Sequence, residues 1–357
     1  MDCVPATFIE NVQYLLDDLS PFYRLSSRSR FRELAKNYED NATRFRCDIY
    51  PLHVGGSFKE LEKCERHPKY LEKVAVAAYA DDYTEDPSSA QKFEKRARKL
   101  FPMAKQIKMA LYLHDYDASA LCKKLLRLDI PVHNLSIWHG RRGEPLLEQL
   151  LGAIFSKRSL RILWLGVGGT TQTFDCIQKM GPQLVDLFFQ PQFHTLHYKK
   201  QEMQYNSNNE YLWNALLARW IKTGNVGHGK LLCCRKIPKV LFSTPYWEQG
   251  VQYFSGRSKI GRILTSPIPF SFEKELSVLR YARFLTMKHP TSAHSIARII
   301  LNVPEYIANS MYQEAYESRR SDCRIQLREY VRRKLESLSE SAFMELTEHA
   351  YLLFMEK

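Results

Sequence analysis

The run Leu163-Trp164-Leu165-Gly166-Val167-Gly168-Gly169-Thr170-Thr171 carries the most enzyme-like spacing in the chain, an apolar strand running into glycines and then a helix start. Glycines placed there let backbone amides approach a phosphate, or the sulfonium cofactor of a methyltransferase, at a helix N-terminus. The third glycine of a dinucleotide fingerprint is absent and no lysine follows to make a phosphate loop, so the plainer reading is a turn between strand and helix. His194 and His197 stand three apart on an expected strand, which sends them to opposite faces and works against joint metal ligation. His133 and His139 flank a strand centred on Leu135 and Ile137, and Cys233-Cys234 reads as half-buried strand packing rather than redox chemistry. Arg324, Arg328 and Arg332 fall four apart on one helix face, a row that suits phosphates or an acidic protein. Glu329 and Glu336 beside them favour pairing within the helix. Spacing assembles no nucleophile, base and oxyanion set, so the expectation is a non-catalytic protein with no cofactor and no metal.

The elements that would position these residues form a repeating pattern. Segments of the form apolar-x-x-apolar-x-apolar recur at Leu71-Val74-Val76, Val132-Leu135-Ile137, Leu160-Leu163-Leu165, Leu184-Leu187-Phe189 and Phe193-Leu196-Tyr198. With the alternating run Ile107, Met109, Leu111 and Leu113 they read as strands. Helical stretches are expected over 89–100, 118–128, 144–155, 171–180 and 208–222, the last followed by a short strand from Leu231 to Cys234. The first five strand starts lie roughly 24 to 36 residues apart, the range of one strand-plus-helix stacking unit. That favours an α/β fold with a leucine-rich-repeat-like array, its parallel sheet backed by helices through right-handed crossovers. An ordinary open α/β domain would show the same strands. Three features depart from the repeat: no asparagine or cysteine follows the strands, the spacing is irregular, and Phe193 comes too soon after Leu184 for a helix to intervene. After Pro269 helices are expected over 272–288, 292–301, 304–316, 322–338 and 341–355. Three regions result: a helical module at 1–36, an α/β region at 37–268 and a helical region at 269–357.

Composition narrows the function classes. A chain of 357 residues with 45% hydrophobic content buries a real core, which excludes a disorder-dominated protein. Eight scattered cysteines without a C-x-x-C pair suggest neither a zinc framework nor a disulfide scaffold, and reduced intracellular thiols are the plain inference. No signal-peptide pattern opens the chain and no run of about eighteen apolar residues occurs, so a soluble cytoplasmic or nuclear protein is expected, with no membrane partner. The net charge of +13 suits nucleic acid, an anionic membrane surface or an acidic protein, but acids lie within or beside most basic runs, which reads as a solvated surface. A nucleic-acid-binding protein using that surface with Trp138, Trp247 and Tyr253 is the alternative class.

Near the N-terminus, Phe8, Ile9, Val12, Leu15 and Leu16 recur at three- and four-residue intervals behind Pro5 and Thr7, the pattern of an amphipathic helix start. Phe22, Leu25, Phe31 and Leu34 restart it with Arg24, Arg28, Arg30 and Arg32 on the wet side. This stretch resembles an F-box: a Leu-Pro-like start at Val4-Pro5, apolar positions at Ile9, Val12 and Leu16, and Phe31 where that family usually has tryptophan before a Leu-Ala close. The helix LWNALLARWIKTG, with the strand after it, looks like the F-box-associated regions of the large nematode F-box families, and the opening MDCVPATFIENVQYLLD resembles the openings of those families. The resemblance implies a substrate receptor of a Skp-cullin-type ubiquitin ligase. Residues 1–36 would bind the Skp-family adaptor through Pro5, Ile9, Val12, Leu16 and Phe31, the array would choose a protein target, and ligase chemistry would reside in partner subunits.

Overall fold

A computed structural model describes residues 32–33, 36, 40–81, 87–113, 118–139, 145–167, 180–200, 207–224, 229–234, 248–253, 281–303, 305–319, 324–339, 342–343, 346–347 and 349–356. The chain divides into two compact units, the first reaching Leu160 and the second starting at Arg161.

The first unit alternates strands β1 (Thr43–Ile49), β2 (Val54–Gly56), β3 (Leu71–Tyr79), β4 (Gln106–Leu113) and β5 (Asn134–His139) with helices α1 (Phe58–Arg66), α2 (Pro87–Leu100), α3 (Ser119–Leu128) and α4 (Pro145–Ser156). Strand order is β2-β1-β3-β4-β5, with β2 an antiparallel hairpin arm and every other pairing parallel. Each parallel strand therefore lies beside its predecessor, and right-handed crossovers all progressing one way put the helices on one face. Burial agrees: Thr43, Phe45, Cys47 and Ile49 of β1 are buried, while Arg44, Arg46 and Asp48 between them are exposed or half-buried. Alternation of this kind marks a sheet with one wet face, whereas a parallel sheet covered on both sides reads as a continuous apolar run.

Helix α2 buries Ala90, Phe93, Ala97 and Leu100 at three- and four-residue spacing, and Phe93 meets Phe58 edge-on at 5.3 Å. Neighbouring helices are also stitched by charge. Arg96 of α2 forms a fork on Glu65 of α1 with a 2.5 Å contact, and Lys124 of α3 reaches Glu94 of α2 at 2.5 Å. Lys157, just past α4, meets Asp129 at 2.6 Å, and Asp129 is the left-handed residue (φ 54°) that ends α3. Gly56 is required by close approach: a Cβ there would stand 2.6 Å from Phe93 Cζ and 2.7 Å from the Arg46 carbonyl oxygen.

The second unit holds β6 (Ile162–Val167), α5 (Gly181–Phe188), β7 (Thr195–Lys200), α6 (Ser207–Thr223) and β8 (Lys230–Cys234). There follow β9 (Glu248–Tyr253), β10 (Tyr281–Lys288), β11 (Ser295–Val303), α7 (Glu305–Arg319), α8 (Arg324–Glu336) and β12 (His349–Glu356). Its order is β6-β7-β8-β12-β11-β10-β9: three parallel strands, then an antiparallel series that begins where β12 joins β8. Strand β8 is buried at every position and β11 at all but one, so these strands are covered on both faces. Phe354 of β12 packs between Phe188 of α5 and Trp220 of α6, with ring centroids at 6.0 and 5.5 Å.

Two polar knots fix helix ends here. His289 Nδ1 accepts the backbone N–H groups of Thr291 and Ser292 at 3.1 and 3.0 Å. Nε2 therefore carries the ring proton and donates toward the Trp220 and Ile221 carbonyls, 3.1 Å from each, near the end of α6. Gly224 (φ +67°) lets the chain turn beneath that ring. At the end of α8, the buried Arg283 donates to the Leu335 and Leu338 carbonyls at 3.1 and 3.2 Å and lies 4.2 Å over the Phe343 ring.

The expected wholly helical region at 269–357 is corrected: three of its segments are strands, and only α7 and α8 match expected helices. Ser-Ile-Ala-Arg-Ile-Ile-Leu-Asn-Val is rich in β-branched residues and buried on both faces, so it lost the period-two signature and read as a helix. The strand expected at Leu184–Phe189 is corrected to α5, whose Pro182 suits a helix's first turn. That correction regularises the strand spacing. Parallel strands start at residues 43, 71, 106, 134, 162, 195 and 230, spaced 28 to 35 residues apart. The helix expected at 171–180 lies outside the described residues apart from its last position.

Candidate functional site

The adaptor-docking residues Pro5, Ile9, Val12, Leu16 and Phe31 lie outside the described residues. Gly166 is paired with Lys199 in the β6–β7 ladder, while Gly168 and Gly169 lie outside the described residues. His197 is buried in β7 with its ring stacked on Trp164, centroids 3.5 Å apart, and His194 precedes the strand. His133 locks β4 to β5, its Nδ1 accepting the Ile107 N–H at 3.1 Å and its backbone N–H donating to the Ile107 carbonyl at 3.0 Å. Among the described residues no group of three His, Cys, Asp or Glu is placed to hold a metal. Cys233 and Cys234 are fully buried rather than half-buried. Arg332 pairs with Glu329 at 2.6 Å and Glu336 at 3.5 Å; the side chains of Arg324 and Arg328 lie outside the described residues.

What the strands do bring together is the wet face of the first unit. Register sets its side chains in rows across the strands. Tyr50, one residue past β1, stacks on Tyr79 of β3 at 5.2 Å and 18°, and Tyr79 stacks on Tyr112 of β4 at 5.1 Å and 10°. Trp138 of β5 stands opposite Tyr112 in register and is 50% exposed. Two residues back along the strands, Ala77, Ala110 and Ser136 form a shallow floor in one register row. A further step back, Ala75, Lys108 and Asn134 share a row with Arg46.

No family model matches the chain, and no curated protein does. The geometry is therefore the ground for reading this surface.

Arg46 organises its edge. The guanidinium contacts Asp48 at 3.2 Å and the Tyr79 hydroxyl at 3.3 Å, and Asp48 is the main cause that lifts its pKa above the ordinary value. Arg44 pairs with Glu72 at 2.6 Å. The nearby thiols are not reactive groups: burial pushes Cys47 well above the ordinary thiol range and raises Cys64 too. The described face can thus hold a ligand by apolar contact, hydroxyl hydrogen bonds and charge, and it carries no activated nucleophile. Trp138 was singled out in sequence, whereas the three tyrosines were missed. A signal existed: Tyr79-Ala-Asp-Asp-Tyr83 and Tyr112-Leu-His-Asp-Tyr116 repeat one pattern as two strands end.

Proposed function

We propose that this chain is a non-catalytic receptor that holds a protein target on its strand–helix array. In this reading residues 1–36 act as an F-box-type module that recruits a Skp-family adaptor and, through it, the cullin subunits of a ubiquitin ligase. The target-binding half rests on one observation, the wet parallel face of the first unit with aromatic side chains aligned at its strand ends. A parallel sheet built to hold a nucleotide at a strand-order reversal covers both faces with helices. Here the order of β1, β3, β4 and β5 never reverses, and one face is left to solvent. The strand spacing and the neighbour-by-neighbour order support a leucine-rich-repeat-like array of the kind used for protein recognition. The recruitment half rests on the sequence likeness at Val4-Pro5, Ile9, Val12, Leu16 and Phe31.

The test is binding of the purified chain to a Skp-family adaptor by calorimetry, alongside Pro5→Ala and Phe31→Ala variants whose folding is verified by circular dichroism. Micromolar or tighter binding, weakened at least about tenfold in each variant, is expected for anchors at a docking interface. A folded wild-type chain that does not bind the adaptor would sink the recruitment half.

A further inference from the structure

We infer that the helix layer of the first unit, α1 to α3, is a docking surface for the phosphodiester backbone of a duplex nucleic acid. The inference goes beyond the receptor reading and rests on no part of it.

The three helices carry eleven lysines and arginines and four glutamates, and the two signs point in different directions. Helix α2 buries Ala90, Phe93, Ala97 and Leu100, so at about 100° per residue its outermost line is Lys92, Lys95 and Lys99, all exposed. On α1, which buries Leu61 and Cys64, the outermost line is Lys59, Lys63 and Arg66. On α3 it is Lys123, flanked by the exposed Arg127, whose carbonyl accepts from Arg98 of α2 at 3.2 Å. The glutamates lie on the helix flanks and are engaged there. Glu62 and Glu65 meet Arg96 between α1 and α2, Glu94 meets Lys124 between α2 and α3, and Glu60 accepts the Arg46 backbone N–H at 3.2 Å. Among the described residues none of the outward cations makes an ion pair with an acid. Beyond the helices, the exposed Asp129 is paired with Lys157, and the exposed Asp81 lies in the connection ahead of α2. A helix face kept wet for solubility interleaves its signs, whereas a face of one sign draws its counter-charge from a partner.

The missing apolar component selects the class of polyanion. Helices that seat on a membrane add an apolar side to their charge, and protein partners are gripped by buried aromatic anchors. None of the large exposed hydrophobic side chains stands on α1, α2 or α3. Phosphate backbones need no such anchor, since neutralised phosphates alone supply sequence-independent affinity. Spacing suits them as well: packed helices lie about 8–10 Å apart, and the phosphate ridges of a duplex stand about 6 to 12 Å apart across its grooves.

The test measures fluorescence anisotropy of the full chain with a labelled DNA duplex and the same sequence as an RNA duplex, beside sedimentation with phosphatidylserine vesicles. Binding of at least one duplex is expected, weakening at least about a hundredfold between about 50 and 200 mM salt, the loss that accompanies about four neutralised phosphates. The tighter duplex names the source of the backbone. The triple variant Lys92→Gln, Lys95→Gln, Lys123→Gln is expected to bind at least about tenfold more weakly, with a shallower salt slope. A control with the same charge removed elsewhere, Lys36→Gln, Lys222→Gln, Arg333→Gln, is expected to stay within about threefold of wild type. All six positions are exposed, and circular dichroism verifies folding. Absence of duplex binding overturns the inference, as does equal weakening in the two triple variants, which would mark attraction by net charge alone. Vesicle binding tighter than duplex binding and lost in the helix-layer variant also overturns it and assigns the surface to a membrane.

Discussion

The ammonium group of Lys230 lies fully inside the second unit, donating to the Gln190 and Phe193 carbonyls at 2.6 and 2.5 Å. Burial pulls its pKa from 10.5 down to about 8. A neutral amine still offers two N–H donors, so both carbonyl contacts survive the loss of one proton. Between pH 8 and 10.5 the unfolded chain keeps the proton that the folded chain has released, and stability contributed by this residue rises across that window. It is lost again as pH falls through 8. The expected outcome is a urea midpoint for the second unit that climbs with pH in this range, and a climb that is reduced in Lys230→Met. Identical pH profiles for the two proteins would contradict the buried amine. His289 offers a simpler test at neutral pH. His289→Ala removes contacts to the Trp220 and Ile221 carbonyls and to two backbone N–H groups, and should cost about 2–3 kcal/mol in a denaturant titration.

At the level of elements, the β1–β2 hairpin depends on one residue without a side chain. Gly56→Ala would drive a methyl into the Phe93 ring and the Arg46 backbone carbonyl, of which only the ring can turn away. A loss of about 1–3 kcal/mol is expected, read as a lowered melting temperature. The hairpin also shows what was legible in the sequence. Thr-Arg-Phe-Arg-Cys-Asp-Ile carries a clean two-residue alternation and could have been read as a strand, since only one face of it is buried. Strands β3 to β6 and helices α2, α3, α4 and α6 were readable for the same reason: one wet side imposes a period. Strands β10, β11 and β12 were not, because burial on both sides erases alternation and leaves an apolar run that fits a helix equally well. The tyrosine row was invisible to periodicity, as Tyr79 and Tyr112 are ordinary within their own strands and Tyr50 lies just past one. Only the register between strands, a long-range property, lines them up.

For the whole molecule, the two units differ in how they meet solvent. The first leaves a sheet face to water, while the second buries both faces of its central strands. Among the described residues no helix is long and apolar enough to cross a membrane. Amide hydrogen exchange should rank the strands accordingly. The slowest exchange is expected in β3 and β4 of the first unit and in β11 and β12 of the second, which are hydrogen-bonded on both sides. The edge strands β2 and β9 should exchange faster; equal protection in β9 and β12 would contradict this strand order.

The position of β12 has a consequence for biosynthesis. It fills the gap between β8 and β11, yet is made more than a hundred residues after β8. While a ribosome is still threading Glu356 toward its exit, the β6–β8 layer and the β9–β11 layer each present an unsatisfied edge. The second unit therefore closes only after translation has passed that point, and a premature stop codon upstream of His349 would release a chain with two adhesive edges instead of a slightly shorter protein.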